Sequence, residues 1–124
     1  IILYSMNHKK KINIETRPWG FFEIIKETDS FKIKKICVKP GHRLSYQFHK
    51  KRSETWIMIS GKGILIIDDI EYNYSPGKTF TIPVKAKHRI ENNSDDETIF
   101  IEIQTGSYFG EDDIIRLDDD YKRI

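Results

Sequence analysis

The chain has 124 residues, of which 38% are apolar and 32% are charged, so its composition is that of a globular protein with one hydrophobic core. This composition excludes a disordered or fibrous chain, and no apolar run approaches the roughly 18 residues of a membrane span. The net charge of +2 comes without a broad basic patch, which argues against a nucleic-acid partner. A lone cysteine, Cys37, excludes an internal disulfide, and we expect a cytoplasmic protein without an export signal.

The predicted elements are short strands separated by turns. Residues 1–13 predict a loosely held amino-terminal arm, and residues 14–124 predict a single domain. In chain order, strands are predicted over residues 21–26, 31–38, 44–49, 54–60, 64–67, 70–74, 78–82, 87–91 and 98–104. Residues 110–121 predict a short acidic helix or a turn. Strands that recur about every eight to twelve residues predict an all-β sandwich or barrel.

Three side chains in the third and fourth predicted strands have the spacing of metal ligands. Residues i and i+2 of a strand point to the same side, so Gln47 and His49 share a face. A turn through residues 50–53 can bring Glu54 beside them. Each residue alone is more often a structural or surface group, and a fourth ligand must come from elsewhere in the chain.

Two segments resemble the paired motifs of the cupin superfamily. The first motif has its intervals at Gly41, Gln47, His49, Glu54 and Gly61, with Gln47 where the family has histidine, and the second has them at Gly77, Pro83, His88 and Asn92. The resemblance implies an all-β, cupin-type double-stranded β-helix, a jelly-roll-like barrel. It also supplies His88 as the fourth ligand. Gln47, His49, Glu54 and His88 then form a set for a divalent metal, with zinc preferred over manganese, cobalt or iron.

Further segments resemble one family, the C-terminal domain of type II phosphomannose isomerases, which is commonly fused behind a mannose-1-phosphate guanylyltransferase. The matching segments include RPWG (17–20), VKPGHRLSYQFH (38–49), RSETW (52–56), HRIEN (88–92), IEIQTGSYFGEDDIIR (101–116) and DYKR (120–123). The resemblance implies a metal-dependent isomerase that interconverts mannose 6-phosphate and fructose 6-phosphate through an enediolate, in carbohydrate metabolism and polysaccharide biosynthesis. We expect no GTP chemistry, since 124 residues leave no space for a nucleotidyltransferase domain.

Four residues are candidates for substrate binding and catalysis. Arg52 is the first choice for binding a phosphate or the enediolate, because a guanidinium makes forked hydrogen bonds to anionic oxygens, and a solvated arginine is the alternative. Lys87 and Arg89 flank His88 as further phosphate ligands, although both point away from it on a regular strand. Glu102 is the candidate base. Its strand alternates isoleucines with polar side chains, so either set can face the interior.

The chain departs from the isomerase pattern where Lys50, Lys51 and Thr55 replace histidines, so an active isomerase is one of several hypotheses for its function. A non-catalytic cupin that binds a sugar or sugar nucleotide, as a regulatory or scaffold module, is the alternative. A metal-dependent oxygenase or epimerase is a third, because a fold does not fix a function. The expected partners are a small sugar phosphate and a second copy of the chain, held as a homodimer with help from the amino-terminal arm.

Overall fold

The computed structural model describes residues 13–124, which form eleven strands and no helix. The strands are β1 (Ile14–Arg17), β2 (Gly20–Glu27), β3 (Phe31–Val38), β4 (Tyr46–Phe48), β5 (Arg52–Ser60), β6 (Gly63–Ile67), β7 (Ile70–Tyr74), β8 (Thr79–Ile82), β9 (His88–Glu91), β10 (Thr98–Gly106) and β11 (Ile115–Asp118). The expected all-β class is confirmed. Between residues 13 and 124, no helix has the length and hydropathy that crossing a membrane requires. The predicted arm lies, apart from Asn13, outside the described residues.

The strands form two antiparallel sheets that enclose the core. One sheet has six strands in the order β1-β2-β3-β10-β5-β8, and the other has five in the order β11-β4-β9-β6-β7. Phe100 is fully buried between the sheets, and its ring stacks on Trp56 with a centroid distance of 4.3 Å. Other buried members of the core are Phe22, Ile36, Val38, Leu44, Met58, Leu65, Tyr74, Ile82 and Ile90. Burial of such side chains is worth about 1.5–3 kcal/mol each, which makes this interior the main source of stability.

The period-2 alternation of β5 and β10 decides which polar groups enter the barrel. Glu54 alternates with outward-facing neighbours and lies buried on the same face as Trp56. In β10 the polar set faces inward, since Glu102 and Gln104 are buried while the isoleucines between them lie on the outer face. The alternation left open by the sequence is therefore settled in favour of Glu102 facing the interior.

The strand limits follow the sequence pattern closely, with two exceptions. β3 and β7 have the predicted limits, whereas β1 was not predicted, since the first predicted strand begins at residue 21. The tail is not a helix, because β11 pairs with β4 and Arg116 lies opposite Gln47. A short helix gains little without tertiary packing, whereas β11 satisfies the backbone hydrogen-bonding groups of β4.

Candidate metal centre

Three buried side chains from the two sheets converge in the interior. His49 follows β4, His88 begins β9, and Glu54 reaches them from β5 in the opposite sheet. The Nε2 atom of His49 lies 3.2 Å from Glu54 Oε2, and Nε2 of His88 lies 3.7 Å from Glu54 Oε1. Their ligand atoms all lie within 4.8 Å of one another, and each residue is at most 3% exposed. This set, called the His–Glu–His cluster below, has the composition and size of a metal site.

Hydrogen bonds at the far side of each ring set the tautomers of the two histidines. Nδ1 of His49 lies 2.7 Å from the carbonyl oxygen of Asp113, and Nδ1 of His88 lies 2.9 Å from that of Ala86. A carbonyl only accepts, so each Nδ1 carries the proton and each Nε2 presents a lone pair to Glu54. Burial, together with the positive charge of Arg52, lowers the pKa of His49 to about 4, so its ring is neutral at pH 7.

The Nε2 atom of His88 is the strongest single indication that this cluster is a metal site. It is buried and has no hydrogen-bond partner among the described residues, which is costly for a polar atom. Two imidazole nitrogens and a carboxylate, with each imidazole held by a backbone carbonyl, are the donor set and the outer support typical of a divalent metal site. The residues therefore fit a metal, and their chemistry does not select one divalent cation.

Gln47, the fourth predicted ligand, lies next to the cluster in the sheet. It is the register partner of His88, so the two side chains project from the same face. Gln47 is 8% exposed, and its Oε1 accepts a hydrogen bond of 3.0 Å from Ser45 Oγ. An amide oxygen in this position remains able to accept a second interaction.

Arg52 is the main positive charge in contact with the cluster. Its Nε donates to Glu54 Oε2 at 2.9 Å, and its Nη2 donates to His49 Nε2 at 3.3 Å. Its Nη1 is buried without a partner among the described residues. Trp56 Nε1 donates to the other Glu54 oxygen at 3.0 Å. Burial by itself would raise the pKa of Glu54, but His88 and Arg52 outweigh it and hold that pKa below its ordinary value.

Glu102 is a second carboxylate in the same interior. It is 4% exposed, and its Oε2 accepts a hydrogen bond of 2.7 Å from Gln104 Nε2. Burial and the nearby Glu54 carboxylate raise the pKa of Glu102 to about 7, against the opposing effect of Lys34 and Arg52. Two neighbouring carboxylates with separated pKa values are the arrangement expected of one anchoring and one proton-transferring group.

The carboxyl-terminal tail holds the loop that carries His49. The carboxylate of Asp113 accepts hydrogen bonds from the backbone amides of Lys50 at 2.9 Å and Lys51 at 3.0 Å. Its backbone carbonyl oxygen accepts the hydrogen bond from Nδ1 of His49. Glu111 binds the buried ammonium of Lys34 through both oxygens, at 2.7 and 2.8 Å. The sequence identified this tail as family-specific, and the structure shows that it supports the cluster.

Other predicted residues do not reach the cluster. Lys87 contacts Asp69 at 3.3 Å on the outside of the barrel. Arg89 is buried on the opposite face from His88, where it binds the Leu44 carbonyl at 2.7 Å and the Asp118 carboxylate at 2.9 Å. The alternation of β9 explains both positions, because residues next to His88 point away from it.

The three departures from the isomerase pattern also lie outside this interior. Lys50 and Lys51 are exposed, and Thr55 lies on the outer face of β5 opposite Thr81. None of the three is among the described residues that line the pocket at the cluster. The pocket is therefore built without the positions where the expected histidines are replaced.

The pocket at the cluster is rich in arginine. Gln47, His49, Arg52 and Glu102 line it, and so do three arginines that the sequence reasoning did not select, namely Arg17, Arg116 and Arg123. Each lies in a segment that carries the family resemblance, in RPWG, EDDIIR and DYKR. That coincidence was the available signal, but only the folded chain shows that these distant segments share a pocket.

Comparisons with known proteins agree with this arrangement. Residues 5–119 match the family model described as "Mannose-6-phosphate isomerase C-terminal". A mannose-1-phosphate guanylyltransferase from Escherichia coli is 39% identical over 107 residues, which are 86% of this chain and 23% of the relative. The chain thus spans less than a quarter of that relative's length.

Solved structures share the fold. The capsular polysaccharide assembling protein CapF from Staphylococcus aureus has a TM-score of 0.78 and 25% identity, over 92% of this chain and 36% of CapF. A protein with a double-stranded β-helix domain from Klebsiella pneumoniae has a TM-score of 0.68 and 18% identity, over 76% of this chain and 80% of that one. The expected double-stranded β-helix is confirmed.

Proposed function

We propose, since this chain belongs to the family of mannose-6-phosphate isomerase C-terminal domains, that it is a metal-dependent sugar-phosphate isomerase that interconverts mannose 6-phosphate and fructose 6-phosphate. The observation that carries the proposal is the buried His–Glu–His cluster, which has two Nε2 lone pairs directed at Glu54 and opens through His49 to an arginine-rich pocket. Polysaccharide biosynthesis is a fitting context, because the similar CapF is described as a capsular polysaccharide assembling protein.

His49, Glu54 and His88 would hold the metal, with Gln47 as a fourth ligand. A divalent cation at this position would supply a Lewis acid that polarises the carbonyl and hydroxyl oxygens of the sugar. Zinc is the proposed cation, because neutral imidazoles with one carboxylate suit it, and manganese, cobalt or iron would fit the same donors. The proposed site requires no change of protonation in His49, whose ring is already neutral at pH 7.

Glu102 is the proposed group that moves the proton between C1 and C2. It is buried, it lines the pocket, and its pKa of about 7 places it between acid and base at neutral pH. As the base it takes the proton from one carbon, and as the acid it returns that proton to the other. Gln104 orients its carboxylate through the hydrogen bond to Oε2.

Arg52 is proposed to stabilise the enediolate that forms between these two steps. Its Nη1 is the donor without a partner, so it is available to an anionic oxygen of the substrate. Trp56 and Phe100 close the interior behind the cluster and keep bulk water from the reacting carbons.

A turnover assay with a matched pair of variants tests this proposal. Protein loaded with zinc, manganese, cobalt or iron is incubated with mannose 6-phosphate, and fructose 6-phosphate is measured by a coupled assay. Glu102→Gln should lower kcat by roughly 10²–10⁴-fold with the metal content unchanged. Glu97→Gln removes an exposed carboxylate next to the same strand and should turn over like the wild type. No turnover with any of the four metals would refute the isomerase proposal.

A second candidate function is a binding module that holds a sugar phosphate without converting it. The hydrogen bonds of Arg52 to Glu54 and His49 favour it, because they occupy two of the three ligand groups with an internal cation. Saturable calorimetric binding of mannose 6-phosphate to metal-free protein, with no turnover after metal loading, would support this module. Turnover would exclude it.

A further inference from the structure

Three arginines from distant parts of the chain meet at one side of the pocket. Arg17 ends β1, Arg116 lies in β11, and Arg123 lies in the residues that follow β11, yet all three line the pocket that His49 of the His–Glu–His cluster also lines. Like charges brought together in this way repel, so the three arginines need anions to compensate them. These anions are either neighbouring carboxylates or a bound ligand.

The available carboxylates compensate two of the three arginines. Arg123 holds Asp119 in a forked pair at 2.7 and 2.9 Å. Arg17 contacts Glu15 at 3.3 Å on the partly exposed edge of the sheet. Arg116 forms no salt bridge with any other residue of the range 13–124, and its Nε is buried without a hydrogen-bond partner in that range. Burial and the charges of Arg123 and Arg17 lower the pKa of Arg116.

Two other cations of the pocket, Lys34 and Arg52, already have carboxylate partners. Lys34 binds both oxygens of Glu111, and Arg52 donates to Glu54 and His49. Arg116 is therefore the arginine of this pocket that has no carboxylate partner among the described residues. A planar guanidinium with an unused Nε suits a phosphate, which accepts two parallel hydrogen bonds.

The register of the five-stranded sheet places Arg116 at a defined distance from the cluster. Arg116 pairs with Gln47, and Gln47 pairs with His88, so the three residues form one row across β11, β4 and β9. Directly opposed residues project to the same face, and two strand spacings separate the backbones of Arg116 and His88 by roughly 10 Å. An extended six-carbon sugar phosphate can bridge this separation.

We propose that Arg116, flanked by Arg17 and Arg123, binds the phosphate group of a sugar phosphate whose carbonyl end reaches the His–Glu–His cluster. The identity of the sugar rests on the proposed function, whereas the phosphate subsite rests on the arginines alone. Arg52, the first choice from sequence, then acts at the carbonyl end of the substrate, and Lys87 and Arg89 take no part.

Calorimetric titration of the full chain with inorganic phosphate and with mannose 6-phosphate tests the subsite. Arg116→Met, which keeps an unbranched apolar stem but removes the guanidinium, should weaken the binding of both ligands by about tenfold or more. Lys62→Met removes one charge from an exposed turn and should leave both affinities unchanged. Wild-type affinity for both ligands should fall as salt is added, because the subsite binds through charge.

Two further variants keep the test decisive if Arg116→Met fails to fold, which a thermal melt would show. Arg116→Lys keeps the charge without the planar fork and should bind phosphate several-fold more weakly. Arg17→Met alters an edge residue and should also weaken phosphate binding. Equal phosphate affinity in wild type and in every folded Arg116 and Arg17 variant, or no phosphate binding by wild type, would overturn the subsite.

The two proposals fail in different ways. Arginine-dependent phosphate binding without conversion of mannose 6-phosphate would refute the isomerase and leave the subsite intact. Isomerase activity with an unchanged KM for mannose 6-phosphate in Arg116→Met would refute the subsite and leave the isomerase intact. An active wild type whose Arg116→Met variant shows a raised KM and an unchanged metal content would support both.

Discussion

Replacing Arg52 with methionine should destabilise the metal-free protein strongly. Arg52 is 5% exposed, and its Nε lies 2.9 Å from Oε2 of Glu54, which is itself 2% exposed. Removal of one partner from a buried ion pair costs about 3–5 kcal/mol, because the remaining charge is left in a medium of low dielectric. Trp56 still donates to the other Glu54 oxygen, so the lower end of about 3 kcal/mol is expected.

This loss should appear as a large fall in the melting temperature. For a chain of this length, about 3 kcal/mol corresponds to a decrease of roughly 10–15 °C. Arg43→Met is the matched control, because Arg43 pairs with Asp120 at 2.7 Å on the surface, where such pairs are worth about 1 kcal/mol or less. Both variants are melted in buffer that contains a chelator, and the transition is followed by circular dichroism.

Addition of zinc should then restore much of the stability of Arg52→Met. A bound cation compensates Glu54 in place of the guanidinium, and a ligand that binds only the folded state raises its stability by mass action. Arg43→Met should gain no more from zinc than the wild type gains. If Arg52→Met melts within about 3 °C of Arg43→Met without metal, the assigned role of the buried pair is wrong.

Three further outcomes follow from the fold and the site. Burial by itself would raise the pKa of Glu111, but Lys34 and its neighbours hold it at about 2, so Glu111 contributes stability above its ordinary pKa of 4.5 that is lost as the pH falls toward 2. Glu111→Gln should therefore melt at a lower temperature than the wild type at pH 7, and the difference in melting temperature should narrow as the pH falls from 4.5 toward 2. A difference in melting temperature that stays constant over this interval would contradict the role of the Glu111 carboxylate. Phe100→Ala should cost about 3–5 kcal/mol in urea unfolding, because it empties a fully buried site stacked on Trp56, and a cost below about 1 kcal/mol would be inconsistent with that packing. Asp113→Ala removes the hydrogen bonds that hold the backbone of the loop before β5, and it should weaken zinc affinity by about tenfold in a chelator competition assay. Unchanged zinc affinity would show that the Asp113 side chain has no part in positioning His49.

The sequence predicts the limits of a strand well where turn residues bound it at both ends. In β3 and β7 the predicted and observed limits agree, because turn residues at both ends leave little choice. Isoleucines and polar side chains alternate along β10, and that pattern is symmetric by itself. The choice of face was decided by tertiary structure, since β10 pairs between β3 and β5 and places Glu102 between Lys34 and Trp56.

The site was predictable in part for the same reason. The spacing of Gln47, His49 and Glu54 is local, and the second motif adds His88, so these four residues could be named from the sequence. Arg116 could not be assigned a role, because its position depends on the pairing of β11 with β4, and the acidic tail has no strand pattern. Pairing between segments far apart in sequence is settled by packing and backbone hydrogen bonds, which a single sequence does not display.

Metal content per chain is the most direct test of the central claim, that His49, Glu54 and His88 hold one divalent cation. The 124-residue chain is saturated with zinc and dialysed, and the bound metal is measured by mass spectrometry for wild type, His49→Ala, His88→Ala and His42→Ala. His42 is the matched control, because it binds the Pro40 carbonyl and stacks on Tyr121 outside the cluster. The account predicts one zinc per chain in wild type and His42→Ala and its loss in the other two variants. Retention of zinc by folded His49→Ala and His88→Ala, or no zinc in the wild type, would contradict it.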